Sequence, residues 1–329
     1  MVKNYIILAH TNPNQLLRLV YKLNDENTYF YIHIDLKCDI KDYQEKFDLP
    51  NVFFLKTREQ CAWGDISLVD ATIHGMRAVL KDKRKGYCIF ISGQDYPIKN
   101  NTAINDYLKI NAGFDFIDLK PINKLWNNNR MRCSMNFYKF NLSNTRNDLV
   151  LIPSIFCKEF YSMYTLKQVW RVIKKVWRVI KKGDWGIINI IKPRNFPNYF
   201  TPFAGSQWWA LTTSTIEKVL SFLEADNRYM QYHRFSFCAD EFLFHSIINY
   251  LCEKGQVKLK TNLTFVNWDE VYTKSPQIIK ANDLEKIKRM PTHKLFARKF
   301  DMSVDENIFD QIDNYIENVK QKQKLIRWQ

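Results

Sequence analysis

Apolar strands alternating with amphipathic helices predict an α/β fold, with a mostly parallel sheet covered on both faces. Three observations carry that expectation. NYIILAH at 4–10, YFYIHID at 29–35 and YCIFIS in the 86–91 region are apolar almost throughout, the pattern of strands buried on both faces. The segments between them have helical rather than alternating periodicity. Hydrophobic residues make up 46% of the 329, enough for a large core and too many for a mainly disordered chain.

After the first strand, Asn12-Pro13-Asn14 opens a helix with Leu16, Leu17, Val20 and Leu23 on one face. A short strand near VFFL (52–55), a helix from Ile66 to Lys81 and strands at YCIFIS and DFIDL (114–118) follow. In the second half, WWAL (208–211) reads as a strand, and Ser214 with Glu217 as a capping box for a helix running to Ala225. A further helix starts near Asp240. Residues 140–200 lose the alternation and read as an insertion. Ligands of open parallel sheets gather at the carboxyl ends of the strands, which points at Ala9, His10, Asp35 and the run Ser92-Gly93-Gln94-Asp95.

Composition narrows the function. Nine glycines, with neither GxGxxG nor GxxxxGK[ST], leave no common glycine-rich phosphate loop. Seven cysteines without CxxC or metal-like spacing read as reduced thiols of a cytoplasmic protein, and zinc is not expected. The opening MVKNYIILAHTN is too short in its apolar run for a signal peptide, and no window reaches the length of a membrane span. A net charge of +15 calls for an anionic partner: nucleic acid, an anionic membrane or a phosphorylated substrate. The basic residues are dispersed and carry no nucleic-acid motif, so a non-catalytic nucleic-acid or membrane-binding protein is the rival reading. Aromatics at 15%, nine of them tryptophan, suit sugar faces as well as cores.

Two motifs carry candidate chemistry. ADEFLFHSII (239–248) sets Asp240 and Glu241 at the first turn of a helix, where the dipole favours negative charge. The pair reads either as a cap, or as a cap at Asp240 with Glu241 as a proton acceptor in a cleft. HKLFARKFD (293–301) holds Arg298 and Lys299 between apolar residues, as an anion clamp or as two solvated side chains. A third feature is VWRVIKK at 169–175, repeated unchanged at 176–182. As a helix over 166–182 it puts six cations on one stripe, opposite Val169, Trp170, Ile173, Val176, Trp177 and Ile180. It reads as a helix docked on its own domain or as one lying on an anionic membrane.

LAH, YIHIDLK, AWGDISLVDA, FISGQDYPIKN, FAGSQWWALT, ADEFLFHSI and LFARKFD, in this order, resemble the family of core-2 and I-branching β-1,6-N-acetylglucosaminyltransferases and peptide O-xylosyltransferases, the family 14 glycosyltransferases. The resemblance implies a GT-A type, Rossmann-like fold in a single catalytic domain, 1–329. Within it, 1–120 is the nucleotide-binding lobe, 121–200 a variable insertion, 201–301 the acceptor and catalytic lobe, and 302–329 a C-terminal helix. It further implies transfer of a sugar, N-acetylglucosamine or alternatively xylose or another hexose, from a UDP-sugar to a glycan hydroxyl with inversion and no cofactor or metal. Glu241 is similar to the family's base and Lys299 to its diphosphate-binding lysine, with Arg298 beside it. Asp35 is similar to the aspartate that contacts uridine, next to Ala9 and His10. Lys274 stands where branching enzymes have a second diphosphate-binding arginine. Trp268 resembles an acceptor-platform tryptophan, and Asp118, Arg130 and Arg132 are placed to line the acceptor side. No Asp-x-Asp pair occurs to hold a cation on the diphosphate, so lysine and arginine are expected to supply that charge. The expected setting is surface polysaccharide synthesis in the cytoplasm on a glycan or lipid-linked acceptor, with peripheral contact to an anionic membrane and no nucleic acid.

Overall fold

The structure, a computed structural model, describes residues 1–143, 148–157, 160–161, 166–199, 201–268 and 276–327, and the backbone alone at 166–169, 171–172 and 320–327. The strands in chain order are β1 (Lys3–Ala9), β2 (Thr28–Ile34), β3 (Val52–Phe54), β4 (Tyr87–Ser92), β5 (Asp95–Pro97), β6 (Phe114–Phe116), β7 (Lys120–Pro121), β8 (Phe137–Asn141), β9 (Leu149–Pro153), β10 (Phe203–Ala204), β11 (Trp209–Thr212), β12 (Lys258–Lys260), β13 (Thr264–Val266) and β14 (Phe296–Arg298). Seven strands form one sheet in the order β12-β6-β11-β4-β1-β2-β3. Its pairings are parallel except those of β11, which runs antiparallel to β4 and β6. The expected mostly parallel sheet is present, with the WWAL segment as its reversed strand.

Alternation within β1 divides the core. Tyr5, Ile7 and Ala9 join the cluster under helix Pro13–Leu23 and the C-terminal helix Asn307–Arg327. Ile6 and Leu8 join the cluster under helices Ile66–Lys81, Thr213–Ala225 and Leu243–Glu253. Both faces of the strand are thus covered, and each fully buried Ile contributes about 1.5–3 kcal/mol. Strands β11 and β12 lie in the 201–301 segment yet enter the sheet formed by strands of 1–120, so those segments share one core.

The chain leaves β1 toward β2 on one side and reaches β4 on the other, which makes the gap between the carboxyl ends of β1 and β4 a topological switch point. A three-stranded sheet, β13-β14-β5, closes beside it. There the antiparallel register sets Arg298 opposite Asp95, which brings the LFARKF and SGQDYP segments together.

Three local expectations are corrected. In helix Pro13–Leu23 the buried stripe is Leu16, Leu19, Val20 and Leu23; Leu17 sits about 100° from Leu16 and is only half-buried. Helix Thr213–Ala225 is capped by Thr212, whose side chain accepts from the Thr215 N–H, and not by Ser214. Asp240 caps nothing: it lies inside a 3-10 turn, Ala239–Glu241, and helix Leu243–Glu253 begins after it without a side-chain cap. The insertion folds as the antiparallel hairpin β8–β9 and the expected helix, Leu166–Lys181. No helix among the described residues is long and apolar enough to cross a membrane.

Candidate active site

A cleft of about 1520 Å³ opens among the ends of these elements, lined by Trp63, Asp118, Trp126, Arg130, Trp208, Glu241, Trp268 and Arg298 among others. Five of the residues singled out in the sequence, Asp118, Arg130, Glu241, Trp268 and Arg298, therefore share one cavity. Trp63 and Trp268 are exposed and offer the flat apolar faces that sugar rings stack on, whereas Trp126 and Trp208 are buried, each with an arginine over its ring.

The position of Glu241 is set by the backbone. Cys238 takes a left-handed conformation (φ 57°) and donates its N–H to the Gly64 carbonyl at 2.9 Å, which anchors the 3-10 turn on the AWGD segment. Gly64 has φ +66°, and a Cβ there would lie 3.0 Å from the Phe237 ring. On the other side the Gly205 N–H donates to the Glu241 carbonyl at 3.0 Å. A Cβ on Gly205 would fall 1.8 Å from the Asp118 carbonyl oxygen, so only glycine fits between Asp118 and Glu241. His245, one helical turn on, binds the Ser206 carbonyl through Nε2 at 2.9 Å. Burial lowers its imidazole to about 4, so it is neutral and Nε2–H donates. FAGS and DEFLFH are thus one tied unit.

The Glu241 carboxylate makes an ion pair with Arg130 of helix Asn128–Met135, whose guanidinium stacks 4.6 Å from the centre of the Trp126 ring. Burial raises the Glu241 pKa, and Arg130 opposes the rise through charge and hydrogen bonding; the net direction is upward. Neighbouring Asp240 is buried, has no partner for Oδ1, and is raised by burial and by the charge of Glu241. A carboxylate lifted toward neutrality, partly exposed in a cleft and paired with one cation has the properties of a general base.

Arg298 stands between Asp95, 3.5 Å from its Oδ1, and the Trp208 ring, 4.1 Å from the centroid. Asp95 is fully buried and also accepts from the Ser92 hydroxyl at 2.6 Å, so it faces no substrate. Lys299 is half-buried; its charge, with those of Lys37 and Arg298, bears on His10, whose imidazole desolvation lowers first and Asp35 raises. His10, Asp35, Lys37, Arg298 and Lys299 therefore gather at the switch point. Asp35 accepts from the Lys37 N–H at 3.0 Å, and its own N–H donates to the Ala9 carbonyl at 2.9 Å. Asp118 accepts from the Asn262 N–H at 3.0 Å, Trp268 is 57% exposed, and Arg132 is exposed. Lys274 lies outside the described residues.

The model of the core-2/I-branching enzyme family matches residues 4–290. The chain belongs to that family. It is therefore a glycosyltransferase, and its mixed sheet is the GT-A type arrangement. Xylosyltransferase 1 of Rattus norvegicus is 22% identical over 334 residues, covering 95% of this chain and 35% of that protein. Xylosyltransferase 2 of Homo sapiens is 23% identical over 338 residues, covering 95% and 33%. The chain spans about a third of the length of these curated relatives.

Sequence reasoning missed Trp63, Trp126 and Trp208 as cleft residues and Lys139 as the partner of Asp65 beneath the turn. Trp63 and Trp208 lie in the quoted motifs, Trp63 just before helix Ile66–Lys81 and Trp208 just before β11, so their position at an element end was a usable signal. Nothing local marked Lys139, because its partner is 74 residues away.

Proposed function

We propose that this enzyme transfers N-acetylglucosamine from a UDP-linked donor to a hydroxyl of a glycan or lipid-linked oligosaccharide, with inversion and without a metal, in cytoplasmic assembly of a surface polysaccharide. One observation carries the reading: Glu241, its pKa raised, faces a tryptophan-lined cleft at the end of a fixed backbone turn. In this mechanism the Glu241 carboxylate takes the proton of the acceptor hydroxyl as that oxygen bonds to the anomeric carbon. The bond from that carbon to the diphosphate oxygen breaks in the same step, and UDP leaves with the electron pair. A single displacement inverts the centre.

Lys299 balances the growing diphosphate charge in place of a metal ion, with Lys274, which lies outside the described residues, as the second cation the resemblance implies. Arg298, already opposed by Asp95, contributes less of that charge and more of the wall. Asp35, Ala9 and His10 hold the uridine at the switch point, while Trp268, Asp118 and Arg130 hold the acceptor. Xylose is the second donor to consider, because the relatives above are named xylosyltransferases.

The test is UDP release from a panel of UDP-sugars in chelator, with extracted cell glycans as acceptors. Highest turnover with UDP-N-acetylglucosamine is expected. Preference for UDP-xylose moves the enzyme to the second reading, and activity that requires added Mn²⁺ removes the metal-free step.

A further inference from the structure

Helix Leu166–Lys181 uses only part of its apolar face to dock on the protein. Val179 is buried, and Val176 and Ile180 are half-buried, against Tyr138, Phe140, Val150 and Ile152 of the β8–β9 hairpin. Trp170, Ile173 and Trp177 follow one another at spacings of three and four, so they form one stripe on the helix, and they are 59%, 57% and 58% exposed. The next element repeats the arrangement. In the 3-10 helix Trp185–Ile191, Ile187 is buried and Ile190 packs against the same hairpin cluster. Trp185, Ile188 and Ile191, spaced by three and therefore eclipsed, are 69%, 56% and 56% exposed. Six of the sixteen exposed large hydrophobic side chains among the described residues thus fall within 22 residues of chain.

Charge decides what covers this surface. Residues 166–192 hold eight Lys and Arg and one acid, Asp184. Asp184 is occupied, accepting from the Gly186 N–H at 3.0 Å. Lys174 lies 3.6 Å from the Trp170 ring centre, and Lys181 is exposed; on the helix both follow the tryptophan stripe on its polar side. Arg178 is exposed and pairs with Asp148 at 3.3 Å, the acid that faces the helix from the hairpin. Tryptophans with neighbouring lysines are the side chains that settle at the headgroup level of a bilayer, where the ring is apolar and its N–H finds polar partners. A protein partner would have to be both strongly acidic and apolar; an anionic leaflet is both by construction.

We propose that Trp170, Ile173, Trp177, Trp185, Ile188 and Ile191, with Lys174 and Lys181, form an interfacial surface that docks this enzyme on an anionic lipid bilayer. The surface grows from the hairpin whose first strand, β8, follows helix Asn128–Met135 within two residues. That helix carries the partner of Glu241, so the lipid contact lies next in the chain to the wall of the cleft.

The experiment is flotation of the full chain with vesicles of phosphatidylcholine alone or mixed with phosphatidylglycerol, read with tryptophan fluorescence. Binding to the mixed vesicles, a blue shift of the emission and weakening by salt are expected. Trp170→Ser/Trp177→Ser/Trp185→Ser should reduce vesicle binding at least about tenfold and leave UDP release with a soluble acceptor unchanged. Lys174→Glu/Lys181→Glu should lower binding to anionic vesicles by about five-fold per charge removed, with little effect on neutral ones. Equal binding to both vesicles, or wild-type binding by the tryptophan variant, overturns the proposal. So does lipid-free self-association that the tryptophan changes abolish, which would assign the patch to a second copy of the chain.

Discussion

One side of the cleft rests on backbone pinned at several points, and the other rests on two short helices. The first is tied by backbone at its start, where the Ile122 N–H donates to the Pro202 carbonyl, and the second is held by a side chain. Glu241 is fixed through Cys238 to Gly64 and through its carbonyl to Gly205, while β14 is locked in register against β5 with Arg298 opposite Asp95. Arg130 and Trp126 stand on helices of four and eight residues or at their ends, in the 121–200 segment. The carbonyls of Ser134 and Met135, at the end of the Arg130 helix, are held by Arg194 from the far end of that segment. The comparison teaches a division of labour. Contacts made by backbone persist through most side-chain changes, the glycines Gly64 and Gly205 excepted, and suit the chemistry that every acceptor shares, whereas contacts made by side chains are exchanged when the residues change.

The largest effect expected from breaking the pinned side, short of removing the base, is that of Lys299→Ala. Loss of a preorganised cation should lower turnover by about 10²-fold and weaken UDP binding, since charge on the leaving group is at stake; calorimetry with UDP and steady-state rates measure both. Normal UDP affinity would move the diphosphate away from the switch point.

Gly205→Ala comes next. The added Cβ meets the Asp118 carbonyl at 1.8 Å, backbone against backbone, so the turn must shift. A destabilisation of about 1–3 kcal/mol is expected from such overpacking, read by thermal melts, with a fall in turnover as Glu241 moves. Unchanged stability would mean that the two segments are not pinned together.

The smallest effect belongs to the side-chain wall and sharpens the comparison. Arg130 favours the ionised form of Glu241, so Arg130→Gln should raise the Glu241 pKa further. A base acts only when ionised, so activity is lost as pH falls through that pKa. The acidic limb of kcat/KM in the wild type should therefore lie above the ordinary glutamate value of 4.5, and in Arg130→Gln it should move to still higher pH, with rate losses of only a few-fold at pH 8. An unmoved limb would show that the Arg130 pair is absent when substrate is bound.

What the sequence made legible follows the same division. β1 and β4 were readable because burial on both faces leaves an apolar run, and motif order pointed to Glu241, His10 and Asp35 at strand or helix ends. The cap expected at Asp240 failed because the left-handed Cys238 sends the chain into a 3-10 turn before the helix starts, and no local pattern marks that. The Arg130–Glu241 pair spans 111 residues and joins an unpatterned insertion to a motif, so it existed only once the chain was folded. On helix Leu166–Lys181 the periodicity predicted an amphipathic helix but not the edge that docks: the buried residue is Val179, outside the expected apolar set, while Trp170, Ile173 and Trp177 of that set are exposed.

The central claim is that Glu241 is the base, and the direct measurement is turnover of Glu241→Gln beside its affinity for UDP. The substitution keeps size and polarity but cannot accept a proton, so the account predicts a loss of at least ~10²-fold in turnover with unchanged fold and UDP binding. A rate within a few-fold of wild type, with normal UDP binding, would contradict it and assign proton acceptance to another group.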